Sequence, residues 1–141
     1  MTERDRPLMR RPVTVHGLLV PWDERRACQV QELALTAAAL SDAIGGGLLE
    51  DGVHAEICGA VYSVYLDDDR VTKKLPLNER AAALSARLGQ VDRAWLSGLR
   101  GDALFLGCDE QRDDIDVPPV VVDAARRSGL IVDGSPGPRP R

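Results

Sequence analysis

The chain has 141 residues, a net charge of −4, 44% hydrophobic and 28% charged residues. That length closes one core and is short for two, and the composition excludes a natively disordered chain. No run approaches the about 18 apolar residues that span a bilayer.

Residues 1–11 mix Arg with Asp, Glu and Pro without a period and are expected to form a flexible arm. They carry no apolar stretch behind their charges, so no secretory leader is expected and the chain is placed in the cytoplasm. VTVHGLLV (13–20) reads as a strand stopped by Pro21, and PWDERR as a turn leading into a second strand over 27–33. LALTAAALSDAIGGG places Leu33, Ala37, Leu40 and Ile44 at helical spacing, with Gly45–Gly47 as the exit. From Val53 to Leu66 strand formers dominate, and Asp67–Asp69 read as the turn of a second hairpin that returns through VTKKL. Pro76 stops that strand. Asn78 stands where a helix N-cap belongs, before ERAAALSARLG, and Glu79 suits the positive end of the helix dipole. Ala81, Leu84, Leu88, Val91 and Trp95 continue one apolar stripe that Gly89 breaks into two short helices.

ALFLGC (103–108) reads as a buried strand, followed by the acidic loop DEQRDDID. Pro118 and Pro119 suit the first turn of a last helix, Arg126 and Arg127 its last turn, and Gly129 its exit. Residues 133–141, DGSPGPRPR, have the composition of a disordered tail. The elements predict one α+β domain over 12–132. Its architecture is a mixed, mainly antiparallel sheet of about five strands with three to four short helices packed on it.

The segment order resembles the family catalogued as domain of unknown function 3846, whose members are uncharacterised proteins of bacteria, phages and mobile elements. The residues that carry the resemblance are GLLVP (17–21), IGGG (44–47), VYLDDD (64–69), LPLN (75–78) and GDALFLG (101–107). The resemblance implies a hairpin with an acidic turn leading to a helix that begins at Pro-x-Asn, and a Gly-Asp pair that opens the last strand. It implies no activity, cofactor or catalytic residue. The richness in Ala, Arg, Asp and Gly is similar to the coding of high-GC actinobacteria and their phages.

No catalytic, cofactor or metal site assembles from the sequence. Gly45–Gly47 follow a helix, whereas phosphate-cradling glycines precede one. Cys28, Cys58 and Cys108 form no C-x-x-C pair and suit a reducing compartment. A cysteine nucleophile needs a base, and only His16 and His54 offer one. On a straight strand, His54 and Cys58 would lie roughly 13 Å apart. Asp67, Asp68 and Asp69 could converge on a hard cation, but the twelve-residue calcium pattern fails at Thr72 and Asn78.

Charge is unevenly spread. Residues 1–12 carry +2 and residues 126–141 carry +3, so the −4 of the whole chain leaves −9 on residues 13–125. An acidic body repels nucleic acid, although Arg-bearing arms keep that alternative open. The leading expectation is a noncatalytic accessory protein that binds another protein. Its contact candidates are Trp22, the acidic turn Asp67, Asp68 and Asp69, and the loop residues Asp109, Glu110, Asp113, Asp114 and Asp116. The alternative is a small-ligand binder or enzyme with a pocket at the sheet edge around Asn78, Asp102 and Cys108.

Overall fold

The computed structural model describes residues 13–47 and 49–131, with side chains throughout except over 49–54. The arm expected over 1–11 and the tail expected over 133–141 lie outside the described residues.

The first hairpin pairs β1 (Thr14–Val20) with β2 (Gln29–Ala34) in unbroken antiparallel register from Thr14↔Ala34 to Leu19↔Gln29. The chain then enters α1 (Ala37–Ala43), whose N-cap is Thr36; its side chain accepts the Ala39 N–H at 3.1 Å. The helix expected from Leu33 therefore starts later. Leu33 is held in the sheet opposite Val15, and the cap decides where helix begins.

The second hairpin joins β3 (Leu49–Ile57) to β4 (Ala60–Asp67) through two residues, Cys58 (φ 52°) and Gly59 (φ 81°). Two consecutive left-handed residues in a two-residue loop match the right-handed twist of the strands they join. The hairpin turn is thus at Cys58–Gly59 and not at Asp67–Asp69, and residues 70–74 form turns rather than a returning strand. Cys58 leaves the strand that was expected to align it with His54. A non-glycine residue in the first turn position concealed this site from a reading that looks for Gly pairs.

After the turns come α2 (Glu79–Arg87) and α3 (Arg93–Ser97), separated at Gly89, whose φ is 99°. Val91 falls in the gap and is 85% exposed, so the apolar stripe stops at Leu88 and resumes with Trp95 in α3. Strand β5 (Ala103–Cys108) pairs antiparallel with β1 on one edge and with β4 on the other, giving the order β2-β1-β5-β4-β3. The expected α+β architecture is borne out, with every strand pair antiparallel and four helices among the described residues. A two-residue strand not foreseen in the sequence, β6 (Asp114–Ile115), extends the sheet beside Gly107 and Cys108. It uses the edge of β5 that β1 leaves beyond Phe105. Helix α4 (Pro119–Arg127) follows, with proline in its first turn and Arg126 and Arg127 in its last, as expected.

Every residue of β5 is buried because the sheet is covered on both faces. Leu18, Val20, Tyr62, Val64, Leu66 and Phe105 face α2, α3 and α4, and the Tyr62 and Phe105 rings stack at 6.0 Å. Val15, Leu19, Leu104 and Leu106 face the other way and meet Leu40 of α1 and Ile44 at its C-terminal cap. The alternation along β1 and β5 splits each strand between two cores.

The segment behind β6 crosses directly over Gly107, where an added Cβ would overlap the Asp116 carbonyl. Gly107→Ala should therefore force the crossing away and cost about 1–3 kcal/mol. Urea unfolding should show a lower midpoint with the slope unchanged.

Candidate functional site

The two ends of β5 hold different kinds of chemistry. At the start of β5, Asn78 is fully buried and fully bonded. Its side-chain N–H groups donate to the Val20 carbonyl (2.7 Å) and the Gly101 carbonyl (2.9 Å). Its Oδ1 accepts the Ala81 N–H (2.9 Å), and its backbone N–H donates to Leu99 O (2.7 Å). The residue read as a helix cap is also the tie between β1 and the entry to β5.

Asp102 is buried beside it. Its Oδ1 accepts the Trp22 N–H (3.0 Å) and its Oδ2 accepts from Arg26 Nη1 (3.1 Å). Arg80 closes the same loop from α2, with Nη2 donating to the carbonyls of Pro21 (2.7 Å), Asp23 (3.0 Å) and Arg26 (2.9 Å). Within that loop the Arg25 guanidinium bonds the Asp23 carboxyl and holds its pKa down to about 2. Trp22 rides on this braced loop and is 40% exposed. Nearby Cys28 is buried, and burial pushes its thiol up, away from nucleophilic character. Arg80 escaped the sequence reading because nothing local marks a helical Arg as the bond donor to a loop more than fifty residues away.

The acidic turn is likewise structural at its first position. Asp67 is buried, with Oδ2 at 2.6 Å from Lys73 Nζ and Oδ1 accepting the Asp69 N–H (2.9 Å). Burial pushes its carboxyl up, but the bonds from Lys73 and Asp69 and the charges of Lys73 and Arg70 outweigh that, so its pKa lies below the ordinary 3.8. Asp68 and Asp69 are exposed. Among the described residues no group of three His, Cys, Asp or Glu side chains is placed to hold a metal ion.

At the far end of β5 lies a groove of about 840 Å³ between the Cys58–Gly59 turn, the 109–113 loop and the start of α4. Ala60, Val61, Cys108, Ile115, Val117 and Pro118 supply its apolar lining, and Asp109, Glu110 and Asp116 its carboxylates. The loop is tightly built. Asp109 N–H donates to Asp113 O, Asp109 Oδ1 accepts the N–H groups of Gln111 (2.9 Å) and Asp113 (2.8 Å), and Arg112 takes φ 68°. Asp116 accepts the His16 N–H at 2.7 Å, and Asp114 accepts the Tyr65 hydroxyl at 2.8 Å. Glu110 and Asp113 point their exposed side chains to solvent.

The sequence-predicted residues therefore regroup. Asn78 and Asp102 share the start of β5, whereas Cys108 ends it, roughly 20 Å away at the rise of an extended strand. The three residues expected around one pocket thus stand at opposite ends of β5, and Cys108 lines the groove. Asp109, Asp114 and Asp116 each spend an oxygen on the fold, and Glu110, Arg112 and Asp113 are the outward charges of the loop. The apolar lining from Val61, Ile115 and Val117 was not singled out in the sequence, since each is one valine or isoleucine among many.

No family model matches the chain, and no curated protein matches it. Among solved structures it is similar to the small RNA methyltransferase HEN1, at 14% identity and a TM-score of 0.53, over 82% of this chain and 16% of that one. At that identity the likeness is one of fold alone, and the chain spans a small part of the larger protein. No helix among the described residues is long and apolar enough to cross a membrane.

Two measurements separate the roles assigned here. Asn78→Ala should cost about 3 kcal/mol, more than a cap alone, because two buried carbonyls lose their donor. Asn78→Asp keeps the capping oxygen and removes both donations, so most of that loss should persist in urea unfolding; near-wild-type stability of Asn78→Asp would reduce the residue to a cap. For Asp67 the folded pKa is depressed, so its contribution is present above 3.8 and is lost as pH falls through the lowered native value. The stability deficit of Lys73→Gln should accordingly be largest at neutral pH and shrink in acid, read by unfolding at both.

Proposed function

We propose that the chain is a noncatalytic interaction module that binds another protein, with the groove at the end of β5 as its contact surface. The observation that carries this reading is the groove itself: an apolar floor, open to solvent, with carboxylates at its edge. Binding surfaces combine this sort of desolvated centre with a hydrated polar edge. The buried polar groups at the opposite end support the same reading from another direction. Asn78 Nδ2 and Arg80 Nη2 donate to backbone carbonyls, and Asp102 takes the Trp22 N–H and the Arg26 guanidinium, which is the work of a scaffold rather than of a nucleophile, base and stabiliser acting on a substrate.

Three cysteines without a disulfide fit a reducing cytoplasm. The resemblance of the segment order to the domain of unknown function 3846 family supports a partner in bacterial, phage or mobile-element biology.

Ile115 is 44% exposed in the groove, so a polar replacement there leaves the cores untouched. Full-length tagged protein and its Ile115→Asp variant should be compared in nuclease-treated bacterial lysate, with thermal melts as the folding control. A captured protein whose yield falls roughly tenfold, equivalent to about 1.4 kcal/mol, locates the contact in the groove. Equal yields from both proteins would remove the groove from the reading.

A further inference from the structure

Charge on the groove is one-sided. Asp109, Glu110 and Asp116 line it and no Lys or Arg does; in the loop beside them Arg112 and Asp113 both stand exposed. The setting reinforces this, since residues 13–125 carry −9. Two of the carboxylates are also held in place before anything binds: Asp109 by the N–H groups of Gln111 and Asp113, and Asp116 by the N–H of His16. Fixed carboxylates lose little conformational freedom when a partner arrives. The Asp116 side chain nonetheless remains 64% exposed, so pairing it with a cation needs no burial of an ion.

Resting on the reading of the groove as a protein contact, we infer that its occupant is a basic amphipathic segment of the partner protein. Aliphatic side chains of that segment enter the floor beside Val61, Ile115 and Val117, and its Lys or Arg residues lie along Glu110, Asp113 and Asp116. The division of labour follows from the dielectric at each place. Apolar contact on the floor supplies most of the affinity, roughly in proportion to the area removed from water. The carboxylates, hydrated and at the rim, chiefly accelerate encounter and reject acidic competitors. Nucleic acid and anionic lipid are disfavoured by the same charges.

The test uses fluorescein-labelled peptides against the full chain, read by anisotropy: alternating Leu and Lys, alternating Leu and Glu, and alternating Ser and Lys, all of one length. The Leu–Lys peptide should bind best, more weakly at high salt. The double variant Glu110→Lys with Asp113→Lys should weaken it about tenfold, the scale of two exposed pairs turned repulsive. Ile115→Asp should weaken it comparably, and both variants should melt like the parent. Equal binding of Leu–Lys and Leu–Glu peptides, or Leu–Lys binding indifferent to the double variant, overturns the basic segment. If Ile115→Asp still abolishes partner capture in that case, the groove reading survives without it. If capture and peptide binding both ignore Ile115→Asp, both fall.

Discussion

Three parts of the chain that are distant in sequence meet at Asn78: the end of β1, the approach to β5 and the first turn of α2. One amide satisfies two carbonyls and one backbone N–H there, and its side chain is shut off from the surface. The neighbouring loop over Pro21–Arg26 is then fixed from two sides, by the Arg80 guanidinium and the Asp102 carboxylate. Because β5 is the strand that, among the described residues, pairs with both hairpins, setting its first residues sets the whole sheet. The two cores divide along it, with Phe105 on one face and Leu104 and Leu106 on the other.

That arrangement leaves the two ends of β5 with unequal duties. At the start, polar side chains are drawn inward and exhausted in holding backbone together. Past Cys108 the chain doubles back through a short loop, adds two residues to the sheet and starts α4, and the space between these pieces is left unfilled. The same Asp109 that shapes the loop also lends its charge to the groove edge. Structure and surface chemistry at this end are thus carried by the same residues, which is why charge reversal is better aimed at Glu110 and Asp113 than at Asp109, Asp114 or Asp116.

Much of the fold was legible in the sequence because its signals are local. Pro21, Asn78, Gly89 and the Pro118–Pro119 pair act on the backbone within a turn of where they stand, and the elements they delimit appeared as expected. The errors came where a distant partner decided. Leu33 stays in a strand because Val15 lies opposite, and the second hairpin turns at Cys58–Gly59 because β4 is needed beside β5 through Tyr65. The candidate site was less legible still. Cys108 and the acidic loop marked the right region, but Asn78 and Asp102 belonged to the other end, one extended strand away along ALFLGC. The groove's floor needed the crossing over Gly107, a contact no local pattern announces.

Strand β5 has a further consequence, for the order in which the molecule can be made. Among the described residues the hairpins β1–β2 and β3–β4 have no strand pairing with each other and are bridged within the sheet by β5, so Val20 must wait for Ala103. A chain made as far as residue 100 holds two ribbons not yet paired to one another, each with an inner edge of unpaired N–H and C=O groups, and α4 is still to come. Neither core can close until the last inner strand slides between them. Such late, long-range closure slows folding and leaves strand edges open to wrong partners in the meantime. The vulnerable period of this protein is therefore the interval before β5 arrives, and any truncation ahead of Ala103 would make that interval permanent.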